Sequence, residues 1–236
     1  MSSLASGEAP PPPYQTKCDG FGLLVAYDEA LVRSLLPPGI EPVDDMTGGI
    51  NLYTAGQGYG LAPFSAFYFY VHVKGFDSSD GTKARWMLQG VYGPEGRVPA
   101  ALHRYFGFPV RAGESRHDAN EAITIGIGTL AGREVVRIVV RPKPATYNFV
   151  NFVAGAINFP GQLEATREIV VLQMPYVAEI CEADPVSIDN MAPAGDPLSK
   201  LKSVKMVGAF AFKNFTFAFP SAVSANQVKH RLSRPQ

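Results

Sequence analysis

Phe64-Ser65-Ala66-Phe67-Tyr68-Phe69-Tyr70-Val71-His72-Val73 is a run of aromatic, β-branched and small side chains without a regular polar alternation. Such residues fit the pleated surface of a sheet, and the unbroken run predicts a central strand covered on both faces. Strand side chains alternate, so Tyr68, Tyr70 and His72 share one face while Phe67, Phe69 and Val71 share the other. The polar-tipped face has two readings. It can line a cavity, offering a histidine and two phenols to an oxygenated ligand, or it can be an amphipathic exterior. Asn51 and Tyr53 share a strand face in the same way and would join such a lining.

Outward from this run, strand signals dominate. Phe21–Tyr27 is a short apolar run, and Asp28 stands where an N-cap would precede apolar residues at helical spacing, which predicts a helix over 28–36 that Pro37-Pro38-Gly39 stops. Gly75–Lys83 reads as a turn and Arg85–Tyr92 as a strand. Ala100–Phe106 reads as one or two helical turns ended by Gly107-Phe108-Pro109. Residues 121–130 and 133–141, split by Ala131-Gly132, predict a hairpin. Further strands are expected near 168–174, 176–183 and 204–219, and a helix over 148–157. Strands with a few short flanking helices predict a mainly β (α+β) chain whose antiparallel sheet closes, or nearly closes, into a β-barrel able to hold a small ligand.

Composition sets the limits. Hydrophobic residues at 46% against 18% charged residues describe a well-buried globular chain. Twenty-one basic side chains balance 21 acidic ones with no basic run, which argues against nucleic acid and anionic membranes as partners. Cys18 and Cys181 are too few for a disulfide framework, and the histidines are too scattered for a metal triad, so neither metal nor cofactor is expected. The N-terminus lacks the pattern of a secretory signal, and no apolar stretch approaches the roughly 18 residues of a membrane helix. The expectation is a cytoplasmic protein: a flexible proline-rich arm over 1–16, one β-barrel domain over 17–224 and a tail over 225–236.

Three motifs then carry a resemblance. Leu35-Leu36-Pro37-Pro38-Gly39-Ile40-Glu41-Pro42-Val43 resembles the entry segment of the acetoacetate decarboxylase-like family. Leu102-His103-Arg104-Tyr105-Phe106-Gly107-Phe108-Pro109-Val110-Arg111 resembles its catalytic segment, an aromatic-glycine-aromatic-proline followed in the family by two lysines. Asp196-Pro197-Leu198 with Val204–Phe219 resembles the closing strand. The resemblance covers roughly residues 20–220 and implies a barrel cavity, a small-molecule substrate and a homo-oligomer.

The departures from the family pattern bear on chemistry. The family's first lysine forms a Schiff base and the second lowers its pKa. Val110 and Arg111 stand there; valine has no nucleophile, and arginine stays protonated. By the same alignment Asn51 and Ala66 replace two glutamates. Imine-based acetoacetate decarboxylation is therefore not expected.

Arg111 is the first catalytic candidate: its planar fork can hold a carboxylate or enolate, or it can be an acid-paired arginine of the scaffold. His103 and Arg104 follow, His103 either as a proton shuttle or as a residue on an exposed helix face. Phe108 and Val110 join the binding set through the motif. Glu114, Arg116 and His117 resemble a polar turn more than a constellation, and Lys74 and Lys143 are imine candidates only in principle. The leading expectation is an enzyme acting on an oxygenated small metabolite by non-covalent lyase, hydratase, isomerase or cyclase chemistry. The alternative is a non-catalytic barrel that binds an apolar ligand.

Overall fold

The computed structural model describes residues 10–120, 122–143 and 151–226. In chain order its elements are β1 (Tyr14–Tyr27), α1 (Glu29–Leu35), β2 (Thr47–Tyr59), β3 (Phe64–Val73), β4 (Ala84–Gly93), α2 (Arg97–Phe106), β5 (Val110–Ala112), β6 (Glu114–Ala119), β7 (Thr124–Leu130), β8 (Arg133–Pro142), β9 (Asn151–Gln162), β10 (Ile169–Asn190), a 3-10 turn at Pro197–Leu201, β11 (Val204–Phe219) and β12 (Val223–Ser224). The chain is mainly β, as expected.

All strands join one sheet in the order β5-β4-β3-β2-β1-β11-β10-β8-β7-β6, with β9 and β12 also pairing with β10. The expected closed antiparallel barrel is corrected in two respects. β4 and β5 run parallel, so the sheet is mixed. The ladder also does not close, because β5 and β6 at its two ends do not pair. They are instead consecutive in the chain, and the ends meet at Gly113, whose N–H donates to Tyr92 O at 3.2 Å. Next to that seam the Ser115 N–H donates to Ser65 Oγ at 2.8 Å, laying β6 against β3.

Curling gives β1, β2 and β3 a core on each face. One core takes Phe21, Leu23, Leu52, Phe67, Phe69 and Val71 with the inward residues of β8. The other takes Tyr53, Tyr68, Tyr70, Phe106, Phe159 and Phe217, among others. That is the physical reason Phe64–Val73 lacks polar alternation: both faces are dry. The face assignment read from alternation holds, with Tyr68 and Tyr70 on one side and Phe67, Phe69 and Val71 on the other.

Local signals place the helices. Asp28 Oδ1 accepts from Leu31 N–H at 2.9 Å and starts α1. α2 begins earlier than expected, at Arg97, and ends at Gly107 in the left-handed conformation. A Cβ on Gly107 would lie 2.4 Å from the Gln162 backbone, so this glycine also lets α2 dock on β9.

Several boundaries differ from expectation. β1 begins at Tyr14, within the span read as an arm, and residues 1–9 lie outside the described residues. Of the helix expected over 148–157, residues 151–157 are strand β9 and 148–150 lie outside the described residues. The strands expected near 168–174 and 176–183 are one long strand, β10, which passes from β9 to β11 to β8 along its length. The polar turn expected around Glu114, Arg116 and His117 is strand β6. Among the described residues no helix is long and apolar enough to cross a membrane.

Candidate functional site

A cavity of about 300 Å3 opens within the aromatic core, lined by β1, β2, β3, β4, β9, β10 and β11. Its main wall depends on one irregularity of β11. In a regular strand Phe210 and Phe212 would face opposite to Phe215, Phe217 and Phe219. A bulge changes the phase: Cys18 pairs with Phe215 but Gly20 pairs with Phe212, so two residues of β11 oppose one of β1. All five phenylalanines consequently line the cavity. Asn214 in the bulge has a φ of 51°. Its N–H donates to Asp19 Oδ1 at 2.7 Å and its Nδ2 to Glu179 Oε1 at 3.0 Å, so carboxylates from both neighbouring strands hold it.

Polar groups gather at one place in this lining. Asn51 on β2 stands opposite Tyr68 on β3, and its Nδ2 donates to the Tyr68 hydroxyl at 2.7 Å. With that oxygen accepting, the Tyr68 O–H is left to donate. Arg85 of β4 lies with its guanidinium carbon 4.6 Å from the centroid of the Tyr70 ring, a cation–π contact. Arg85 Nε and Asn51 Oδ1 are buried without a hydrogen-bond partner. Gly22 makes room here, since a Cβ on it would lie 2.6 Å from Asn51 Oδ1 and 2.5 Å from the Phe210 ring.

The electrostatics make this a donor site. Burial pushes the Tyr68 phenol up to about 12, against the pull of Arg85 and of the Asn51 amide. Burial, then neighbouring phenols, hold Tyr53 and Tyr92 well above the usual range. Burial likewise raises the Cys18 thiol, so it is a neutral wall rather than a nucleophile. Among the described lining residues there is no carboxylate, histidine or lysine. Arg85 is thus the one charged group of that lining, and its guanidinium stays protonated.

The expected residues divide. Asn51, Tyr53, Tyr68 and Phe108 line the cavity, and Tyr70 supports Arg85 from beneath. Val110 packs on the aromatic core. His72 lies outside the lining, its ring 5.5 Å from that of Tyr70 and its Nδ1 3.2 Å from Thr47 Oγ1. Arg111 is also outside it: alternation along β5 turns Val110 to the aromatic core and Arg111 away, where both of its terminal nitrogens donate to the Asp196 carboxylate. His103 sits on the exposed face of α2, with Nε2 2.9 Å from Glu164 Oε2 and Nδ1 3.1 Å from Phe108 O. Arg104 is exposed, 5.4 Å from the Tyr105 ring. Lys74 and Lys143 pair with Asp44 and Glu182, outside the cavity. His117 borders a second cavity, on the far side of Ile180 and Phe212.

Sequence reasoning missed Arg85. A signal was present: it opens a strand otherwise poor in charge, and it pairs directly with His72, on the face that carries Tyr70 and Tyr68.

No protein-family profile and no curated protein matches the sequence. Solved structures do match. Acetoacetate decarboxylase from Legionella pneumophila subsp. pneumophila strain Philadelphia 1 superposes with a TM-score of 0.73 at 16% identity, over 94% of this chain and 91% of that one. The enduracididine biosynthesis enzyme MppR, in complex with the condensation product of pyruvate and imidazole 4-carboxaldehyde, gives 0.68 at 14% identity over 95% and 98%. An acetoacetate decarboxylase-like enzyme from Sphingomonas wittichii RW1 gives 0.63 at 13% identity over 95% of each chain. At these identities the likeness is one of fold.

Proposed function

We propose that this chain, which has the fold of acetoacetate decarboxylase, is an enzyme that binds a small, largely apolar molecule carrying a carbonyl or carboxylate oxygen and acts on it without forming an imine. One observation carries the reading: Arg85, the one charged residue of the described lining, lies beside the Tyr68 hydroxyl in an otherwise aromatic cavity. Both are donors fixed by the fold, and in a dry site such donors stabilise negative charge far better than water does. Hydratase, isomerase and cyclase reactions commonly begin with a base, and the described lining supplies none. Lyase chemistry fits better. When a β-keto acid loses carbon dioxide, its carbon–carbon bond breaks and the electron pair remains as an enolate. Arg85 and Tyr68 would hold that enolate until a proton from water completes the ketone. A cytoplasmic homo-oligomer is part of the same reading, and the unpaired thiols of Cys18 and Cys181 suit a reducing compartment.

A second reading is a non-catalytic carrier, favoured by the neutral, aromatic character of the walls. Incubation with a panel of β-keto acids, read by product formation, separates the two. An enzyme releases product, and Arg85→Gln lowers the rate on the order of a hundredfold, as removal of an oxyanion donor does. Return of every compound unaltered supports the carrier, and an unchanged rate in Arg85→Gln overturns the role given to this arginine.

A further inference from the structure

We infer that the ligand of this cavity is an aryl carboxylate: one aromatic ring on a short chain that ends in a carboxylate. The inference rests on Arg85 being the anion-binding group of the site, as read above, and names the class of ligand that it and the walls select.

The ring follows from the walls. Four tyrosines and seven phenylalanines line the cavity, against two isoleucines and two methionines. A pocket for a saturated chain needs only apolar area, which aliphatic side chains supply as well as aromatic ones. Here the rings present both faces and edges. Tyr176 and Phe215 stack at 5.2 Å and 5°, both partly exposed at the cavity's rim. Deeper in, Tyr53 meets Phe217 at 87° and Tyr68 meets Phe159 at 72°. A further ring can join such an array by offset stacking or edge contact, an attraction beyond area burial that a saturated ring of equal size lacks. The bulge at Asn214 points the same way, since it brings Phe210 and Phe212 into phase with the other three phenylalanines of the wall.

The carboxylate follows from charge. Arg85 has no acid partner within the described lining, and its buried Nε has no acceptor. Arg85 is half-buried with its Nε enclosed, and taking a guanidinium out of water is costly unless it is paired, so a carboxylate ligand supplies what the protein does not. The volume of about 300 Å3 stands at the lower end for small-molecule pockets, enough for one ring and a short chain.

Calorimetric titration with 3-phenylpropanoate, 3-cyclohexylpropanoate, hexanoate and the uncharged 3-phenylpropanamide tests both halves, on the wild-type chain and on Arg85→Gln. The phenyl acid is expected to bind roughly tenfold more tightly than the cyclohexyl acid. It should also exceed its own amide by a similar factor on the wild-type chain, a comparison that needs no variant. Arg85→Gln should remove the preference for acid over amide and keep that for phenyl over cyclohexyl. Equal binding of the phenyl and cyclohexyl acids, with Arg85 still required, overturns the aryl class while the oxyanion reading stands. Equal binding of acid and amide overturns the carboxylate, while the oxyanion role of Arg85 is judged separately by turnover of the β-keto acids. Failure of every compound to bind the wild-type chain overturns the aryl carboxylate class.

Discussion

His72 shows how one half-buried side chain contributes to the acid response of the chain. Burial, with Arg85 nearby, lowers its pKa to about 4, so the folded protein holds it neutral. An unfolded chain binds that proton near pH 6.5. Between these values the unfolded state carries more protons, so stability is present above about pH 6.5 and is lost as pH falls toward 4. His117 is lowered by burial and adds to the same slope. His103 opposes it: the Glu164 carboxylate, then the Phe108 carbonyl, raise its pKa, so its contribution is present in acid and lost as pH rises. Urea unfolding of His72→Gln from pH 4 to 7 should show a flatter rise in stability than wild type, and equal slopes would refute this account of the residue. Arg111 allows a second prediction. It pairs with Asp196, which also accepts from Leu198 N–H and caps the 3-10 turn. Arg111→Ala should cost about 1–3 kcal/mol of stability by leaving Asp196 without its partner, and should leave ligand affinity unchanged. A large loss of affinity at unchanged stability would return Arg111 to the site. The motif placed Arg111 in sequence, but only the alternation of β5 and a partner 85 residues away decide where it points.

At the level of elements, turn chemistry is where sequence and backbone disagree most usefully. The hairpin of β7 and β8 was legible, and Leu130 pairs with Arg133 across the two-residue loop Ala131-Gly132. Both loop residues have positive φ, 48° and 73°, as a type I′ turn requires. Glycine adopts that conformation freely, whereas alanine does not. Ala131→Asn should therefore stabilise the chain by about 0.5–1 kcal/mol, seen as a higher melting temperature; no change, or a fall, would mean that the strands and not the turn set the register. The bulge in β11 was not legible. Val204–Phe219 reads as a strand, but alternation along a regular strand would split its phenylalanines between two faces. What changes the phase is Asn214, gripped by Asp19 and Glu179 from strands distant in sequence. Pattern reading finds strands because side-chain type is local, and it misses bulges because their supports are not.

For the whole molecule, the feature least visible in the sequence is how the curled sheet meets itself. Strand content, the helix at 28–36 and the two-faced burial of Phe64–Val73 follow from local composition, whereas the seam depends on two glycines, Gly93 at the end of β4 and Gly113 between β5 and β6. At Gly93 an added Cβ would lie 1.8 Å from Gly113 O, in the stretch where Gly113 N–H donates to Tyr92 O. β4 and the β5–β6 junction can approach this closely only because neither glycine carries a side chain, and the approach brings β6 over β3 to cover the core of Phe67 and Phe69. Gly93→Ala should force the two backbones apart, at a cost of about 1–3 kcal/mol for overpacking. Gly96→Ala is the matched control, since nothing lies within 4 Å of a Cβ there and its φ is −63°. Urea unfolding of both variants decides the point. If the seam holds the sheet in its curled form, Gly93→Ala loses stability while Gly96→Ala stays close to wild type. If the two variants lose equal amounts, the close approach is incidental, and packing within the two cores suffices to keep the sheet curled.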